Sequence, residues 1–216
     1  MKRAVLFDLD GTLLDTLGDL CAAVNVALEA FDLPPRTLSE VRSFVGNGIR
    51  DLMRRSVPEG EAFPLFEDCL SAFRAHYSAH SMDLTRPYEG IPALLASLRE
   101  RGIRTAIVSN KFDGAVKALA AHYFPGIIDE AVGESPDRKK KPAPDTVFAV
   151  LDALHLSPEE AVLVGDSDTD ILTAKNAGVA SVGVLWGFRD ETCLREAGAD
   201  RLARTAKELE EMLLSL

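Results

Sequence analysis

The chain has 216 residues, and 34 Asp and Glu outweigh 24 Lys and Arg for a formal net charge of −10. An acidic balance of this size gains nothing from counterion release on nucleic acid and is repelled by anionic membrane surfaces, which argues against both as partners. The hydrophobic fraction of 47% suits a globular fold with a real core, and no apolar run approaches the ~20 residues that span a bilayer.

Lys2-Arg3 ahead of Ala4-Val5-Leu6-Phe7 faintly resembles an export signal, but Asp8 and Asp10 break the apolar stretch too early. Cys21, Cys69 and Cys193 are odd in number and far apart. The expectation is a cytoplasmic protein, monomer or homodimer, with free thiols and a small-molecule partner.

Ala4 to Phe7 reads as a fully buried strand, and Asp8-Leu9-Asp10-Gly11-Thr12 closes it. Successive strand side chains point to opposite faces. Both acids reach one site only if the chain bends at the strand's end, and Gly11 permits that bend. A carboxylate at such a mouth attacks an electrophile or binds a hard cation.

The pattern changes over residues 15–87. Leu20, Ala23, Val24, Ala27 and Leu28 form a helical stripe, Thr37-Leu38-Ser39-Glu40 is a capping box, and no strand-like run occurs. The stretch is too long for an ordinary βα loop. It predicts a separate helical unit at 15–87, with 1–14 and 88–216 as the other domain.

Leu94, Leu95 and Leu98 mark the next helix, and Arg104 to Val108 the next strand. Ser109-Asn110-Lys111 follows it. The serine hydroxyl and the N–H groups after it suit a phosphate, or they cap the next helix. Val116, Leu119 and Ala120 form a further stripe. In Lys139-Lys140-Lys141-Pro142-Ala143-Pro144 the first two lysines read as solvated. The prolines after Lys141 stiffen the chain and fix where its ammonium points.

Val147, Val150, Leu151 and Leu154 predict another helix, and Ser157-Pro158-Glu159-Glu160 a short capped turn. The strand Ala161 to Val164 then runs into Gly165-Asp166-Ser167-Asp168-Thr169-Asp170, an accumulation of acids that makes sense as half of a cation site. A strand from Ser181 to Leu185 and a closing helix from Ala206 to Leu214 complete the pattern. Strand-then-helix alternation implies an α/β fold, a Rossmann-like parallel sheet with helices on both faces and an inserted α-helical domain. Polar ligands then bind beyond the carboxyl ends of the strands.

Asp-x-Asp-Gly-Thr, Ser-Asn, Lys-Pro and Gly-Asp-x-x-x-Asp, in that order, resemble the motif set of the haloacid dehalogenase superfamily of aspartate-nucleophile phosphotransferases. The helical insert is similar to that family's cap domain. The resemblance implies Mg2+ as cofactor and a small phosphorylated metabolite as substrate. It implies Asp8 as nucleophile and metal ligand, and Asp10 as acid and base whose backbone carbonyl also binds the metal. Ser109 and Asn110 would hold the phosphoryl group with help from Thr12, and Lys141 would steady the nucleophile. Asp166 would be a direct ligand, with Asp170 acting through water or Lys141.

Phe44-Val45-Gly46-Asn47-Gly48-Ile49-Arg50 and Trp186-Gly187-Phe188-Arg189 resemble the phosphoglycolate phosphatase group. Gly46, Asn47 and Gly48 would then face the substrate, their N–H groups cradling a carboxylate or simply forming a turn. Arg50 would pair with an anionic tail. A sugar-phosphate phosphatase, a β-phosphoglucomutase-like mutase, a nucleotidase and a pyrophosphatase share the same motifs. A non-catalytic binding protein on this fold is a further alternative.

Overall fold

The computed structural model describes residues 2–216. In chain order its regular elements are β1 (Ala4–Phe7), β2 (Leu14–Asp15), α1 (Leu17–Glu29), α2 (Leu38–Phe44), α3 (Ile49–Ser56), α4 (Phe66–His80), β3 (Arg86–Pro87), α5 (Ile91–Glu100), β4 (Arg104–Phe112), α6 (Asp113–Tyr123), β5 (Glu130–Glu134), α7 (Asp145–Leu154), β6 (Ala161–Gly165), α8 (Asp168–Ala177), β7 (Ala180–Val184), α9 (Glu191–Ala197), β8 (Arg201–Ala203) and α10 (Ala206–Leu214). The chain divides into two compact units. One joins the residues up to Leu14 to Pro87–Leu216, and the other is Asp15–Arg86.

The larger unit is α/β. Its six-stranded sheet has the order β5-β4-β1-β6-β7-β8, and every neighbouring pair is parallel. The chain winds outward from β1 through β4 to β5, then returns to β6 on the other side of β1. The direction of winding therefore switches beside β1, and open α/β sheets bind ligands beyond the strand ends at such a point.

Alternation along the strands sorts the core. Ala4 and Leu6, Ala106 and Val108, and Ala161 and Leu163 join one buried cluster with Val147, Val150 and Leu151 of α7 and Ala174 and Ala177 of α8. The helical stripes read from sequence on α5, α6 and α7 are buried, including Leu94, Leu98, Val116, Leu119 and Val150.

One expected element differs markedly in extent. β4 does not stop at Val108 but continues to Phe112, with a register shift against β5 between Val108 and Phe112. Ser109 and Asn110 thus lie within a strand rather than capping a helix. The Ser157 box opens the short turn expected of it, the 3-10 turn Pro158–Glu160, directly before β6.

The smaller unit is built on α1–α4. Leu20, Ala23, Val24, Ala27 and Leu28 on α1 and Phe66, Cys69, Leu70 and Phe73 on α4 are buried, and the two helices pack together. The buried Asp19 carboxylate, in the first turn of α1, accepts from Leu84 N and Thr85 N, both at 2.9 Å, and from Thr85 Oγ1 at 2.7 Å. The Thr37 box is formed at α2, with Glu40 closing it. Among the described residues no helix is long and apolar enough to cross a membrane, and the three cysteines are free.

Candidate active site

Because β4, β1 and β6 are adjacent and parallel, the residues at their carboxyl ends come together. Asp8 directly follows β1 and is only 9% exposed, and its N–H donates to Val164 O at 2.8 Å. Asp166 follows β6, and Ser109 lies near the end of β4; both are buried. Asp170 enters from the first turn of α8, where it closes a capping box with Ser167. Lys141 comes from the segment before α7, with its side chain 2% exposed.

Lys141 organises this cluster. Its Nζ donates to Asp170 Oδ1 at 2.6 Å and to Val108 O at 3.0 Å, and lies 3.0 Å from Asp8 Oδ1. Burial opposes the ammonium's charge, but Asp170 and then Asp8 outweigh it and hold the lysine protonated well above its ordinary range. Asp170 Oδ2 accepts from Ser167 N at 3.0 Å and Ser167 Oγ at 2.6 Å. Both Asp170 oxygens are therefore engaged by protein donors.

Asp166 Oδ1 accepts from Thr12 Oγ1 at 3.1 Å and Oδ2 from Phe188 N at 2.7 Å. Trp186 Nε1 donates to Thr12 O at 3.0 Å, so the loop after β7 and the turn after β1 both bear on this carboxylate. Gly11 has φ +88°, and a Cβ there would run into the Asp166 carboxylate. Glycine thus satisfies a left-handed backbone and a close approach at once. A Cβ on Gly165 would likewise strike the Asp170 side chain.

Asp8, Asp166 and Asp170 each offer an oxygen within 4.8 Å of the others, and all three are buried. Burial raises Asp8 to about 7, with Asp170 and Asp10 adding to the rise and Lys141 opposing it. Asp166 rises to about 8, first through burial and then through the charges of Asp170 and Asp8. Asp8 Oδ1 is a buried oxygen with no donor aligned on it. Clustered, desolvated carboxylates fit a hard cation such as Mg2+, which takes oxygen ligands and few carboxylates.

The other expected residues fall as follows. Asn110 is buried, and its amide bonds reciprocally to the Lys141 backbone, with Oδ1 accepting from N at 2.7 Å and Nδ2 donating to O at 3.1 Å. Thr12 turns its hydroxyl to Asp166. The Asp10 carboxylate is bound by Lys111, whose Nζ donates to Oδ1 at 2.8 Å and Oδ2 at 3.0 Å.

Gly46, Asn47, Gly48 and Arg50 belong to the helical unit. Gly46 and Gly48 have φ +131° and +84°, and Gly48 is the N-cap of α3. Arg50 donates to Glu61 at 2.9 Å and to Glu67 at 2.7 and 3.2 Å, and its guanidinium lies 5.2 Å from the centre of the Phe66 ring.

Two contributors escaped sequence reasoning. Lys111 was part of a recognised segment but carried no role, although a lysine directly after a buried Ser-Asn pair is a usable signal. The Phe188 N–H is a backbone group and leaves no mark on sequence.

Residues 5–184 match the family model described as Haloacid dehalogenase-like hydrolase. The chain is 35% identical over 187 residues to the phosphoglycolate phosphatase of Aquifex aeolicus, covering 86% of each chain. It is 36% identical to that of Neisseria meningitidis, covering 92% of this chain and 87% of the relative. A solved structure from Lactobacillus delbrueckii subsp. bulgaricus superposes with a TM-score of 0.93 at 33% identity, covering 99% of both chains.

Proposed function

The chain belongs to the haloacid dehalogenase-like hydrolase family, and from that premise we propose that it is a Mg2+-dependent phosphatase whose substrate is 2-phosphoglycolate. It is a hydrolase of phosphoric monoesters, and Asp8 is its nucleophile. The observation that carries this reading is the convergence of Asp8, Lys141, Asp166 and Asp170 beyond three adjacent parallel strands at the switch in winding.

Asp8 attacks phosphorus through a carboxylate oxygen. The P–O bond to the leaving group breaks, and Asp10 gives that oxygen its proton. The product is an aspartyl-phosphate and free glycolate. Water then attacks the same phosphorus while Asp10 takes a proton from it, releasing phosphate and restoring the Asp8 carboxylate. Splitting the reaction matters, because phosphate monoesters hydrolyse so slowly that enzymes supply accelerations up to about 10²¹.

Asp8, Asp166 and the Asp10 carbonyl would hold Mg2+, with Asp170 behind them on Lys141 and Ser167. The ion would supply positive charge against the equatorial phosphoryl oxygens. Lys141 opposes the rise that burial imposes on Asp8 and adds charge on the same side. Ser109 binds a phosphoryl oxygen. Asn110 contributes by fixing Lys141, and Thr12 by fixing Asp166. Gly46, Asn47, Gly48 and Arg50, on the helical unit, would select the substrate.

Phosphate release from a panel of phosphomonoesters, with and without Mg2+, tests the reading. The panel holds 2-phosphoglycolate, sugar phosphates, nucleotides and pyrophosphate. Metal-dependent preference for 2-phosphoglycolate, lost in Asp8→Asn, supports it. Preference for another member removes the substrate and keeps the chemistry. Failure to turn over any member favours a mutase or a binding protein.

A further inference from the structure

Two buried lysines serve the acids that follow β1. Lys141 lies against Asp8. Lys111 donates to both oxygens of Asp10, at 2.8 and 3.0 Å, and its side chain is 3% exposed. The two arrive from different places, Lys141 from the segment before α7 and Lys111 from the carboxyl end of β4, two residues beyond Ser109.

In the proposed reaction Asp8 faces phosphorus, and Asp10 stands beside the ester oxygen that leaves. Lys141 therefore charges the phosphoryl half of the site and Lys111 the leaving-group half. A phosphoryl dianion has no need of a buried ammonium on the leaving-group side. A leaving group with its own anion does. In a 2-phosphorylated hydroxy acid the carboxylate is attached to the carbon that bears the ester oxygen, which brings it to the neighbourhood of Asp10. The chain as a whole carries net charge −10, so an acid-tailed substrate needs a local cation here.

We infer that Lys111 is a specificity-determining cation of this site and recognises a carboxylate on the leaving group. The inference rests on the roles proposed for Asp8 and Asp10, and it makes the substrate class 2-phosphorylated hydroxy acids. Lysine suits the task. Its ammonium is a compact point charge with rotatable donors and serves two carboxylates at once. Burial strengthens the contact, because a desolvated charge is poorly screened by salt.

The test compares kcat/KM for 2-phosphoglycolate with that for ethyl phosphate, which has a methyl in place of the carboxylate, at saturating Mg2+. The wild type prefers the acid. Lys111→Met should cut that preference about ten- to a hundredfold, the loss of one charge-assisted contact. Lys111→Arg should keep most of it. An equal fall on both substrates in Lys111→Met, with the preference intact, would mean that Lys111 only holds Asp10 in place and would overturn the inference.

A second measurement needs no variant. Glycolate should competitively inhibit ethyl phosphate hydrolysis by the wild type, and ethanol at the same concentration should not; equal effects overturn the inference. Failure of the substrate reading looks different. The wild type would then turn over other esters but not 2-phosphoglycolate. In that case a Lys111-dependent preference for 2-phospholactate over isopropyl phosphate supports the inference, and its absence overturns it.

Discussion

Lys141 owes its place to Asn110, whose amide fills both the N–H and the carbonyl of the Lys141 backbone. The family resemblance implied Asn110 as a phosphate ligand. A partner 31 residues away is chosen by topology, which sets the end of β4 beside the segment before α7. Asn110→Ala leaves two buried backbone groups unpaired, at about 1–3 kcal/mol. We predict a lower melting temperature and a lower kcat with KM near the wild-type value. A large rise in KM at unchanged melting temperature would instead make Asn110 a phosphate ligand.

The acids carry a pH prediction at the same scale. Without metal, burial lifts Asp8 to about 7 and Asp166 to about 8, both above the ordinary 3.8. Raised carboxyls hold protons in the folded state that the unfolded chain has lost. Their contribution to stability is complete below pH ~4 and is lost as pH rises through about 7 to 8. A cation must displace those protons, so it binds better and stabilises more at high pH. The rise in melting temperature caused by Mg2+ should be larger at pH 8.5 than at pH 6. An equal rise at both would count against the triad as the metal site.

At the scale of elements, legibility followed hydropathy. β1 and β6 were plain because an apolar run ends in acids, and the boxes at Thr37 and Ser157 marked true starts. The continuation of β4 was hidden because Ser109, Asn110 and Lys111 are polar yet buried, and burial of polar residues has no signature in a hydropathy pattern. β5 and β8 are short edge strands, and Glu130–Glu134 carries an acid at each end. The closure of the helical unit through Asp19 was equally invisible, since it joins residues 65 and 66 apart in sequence. Asp19→Ala removes the acceptor of three hydrogen bonds, two of them from backbone N–H groups. It should destabilise the protein by about 2–3 kcal/mol in urea denaturation. An unchanged midpoint would show that the segment at Leu84–Thr85 is held by other means.

For the whole molecule, the central tension is a chain of net charge −10 that is assigned an anionic substrate. The fold answers it where three parallel strands end, with two buried ammoniums and a carboxylate cluster that a cation would neutralise. Lys141 and Lys111 are buried there against acids, and the triad of Asp8, Asp166 and Asp170 suits a divalent cation. The order of motifs along the chain made this convergence legible, because parallel strands bring successive carboxyl ends to one edge. The pairing of each lysine with its acid depends on side-chain reach, which no spacing reveals. The central claim is that Asp8 carries the phosphoryl group during turnover. The most direct test is rapid acid quenching of the intact enzyme as it turns over 2-phosphoglycolate labelled in its phosphoryl group with Mg2+ present, followed by peptide mapping. The account predicts label on Asp8 and none in Asp8→Asn. Undiminished turnover by Asp8→Asn, or label on a different residue, would contradict it.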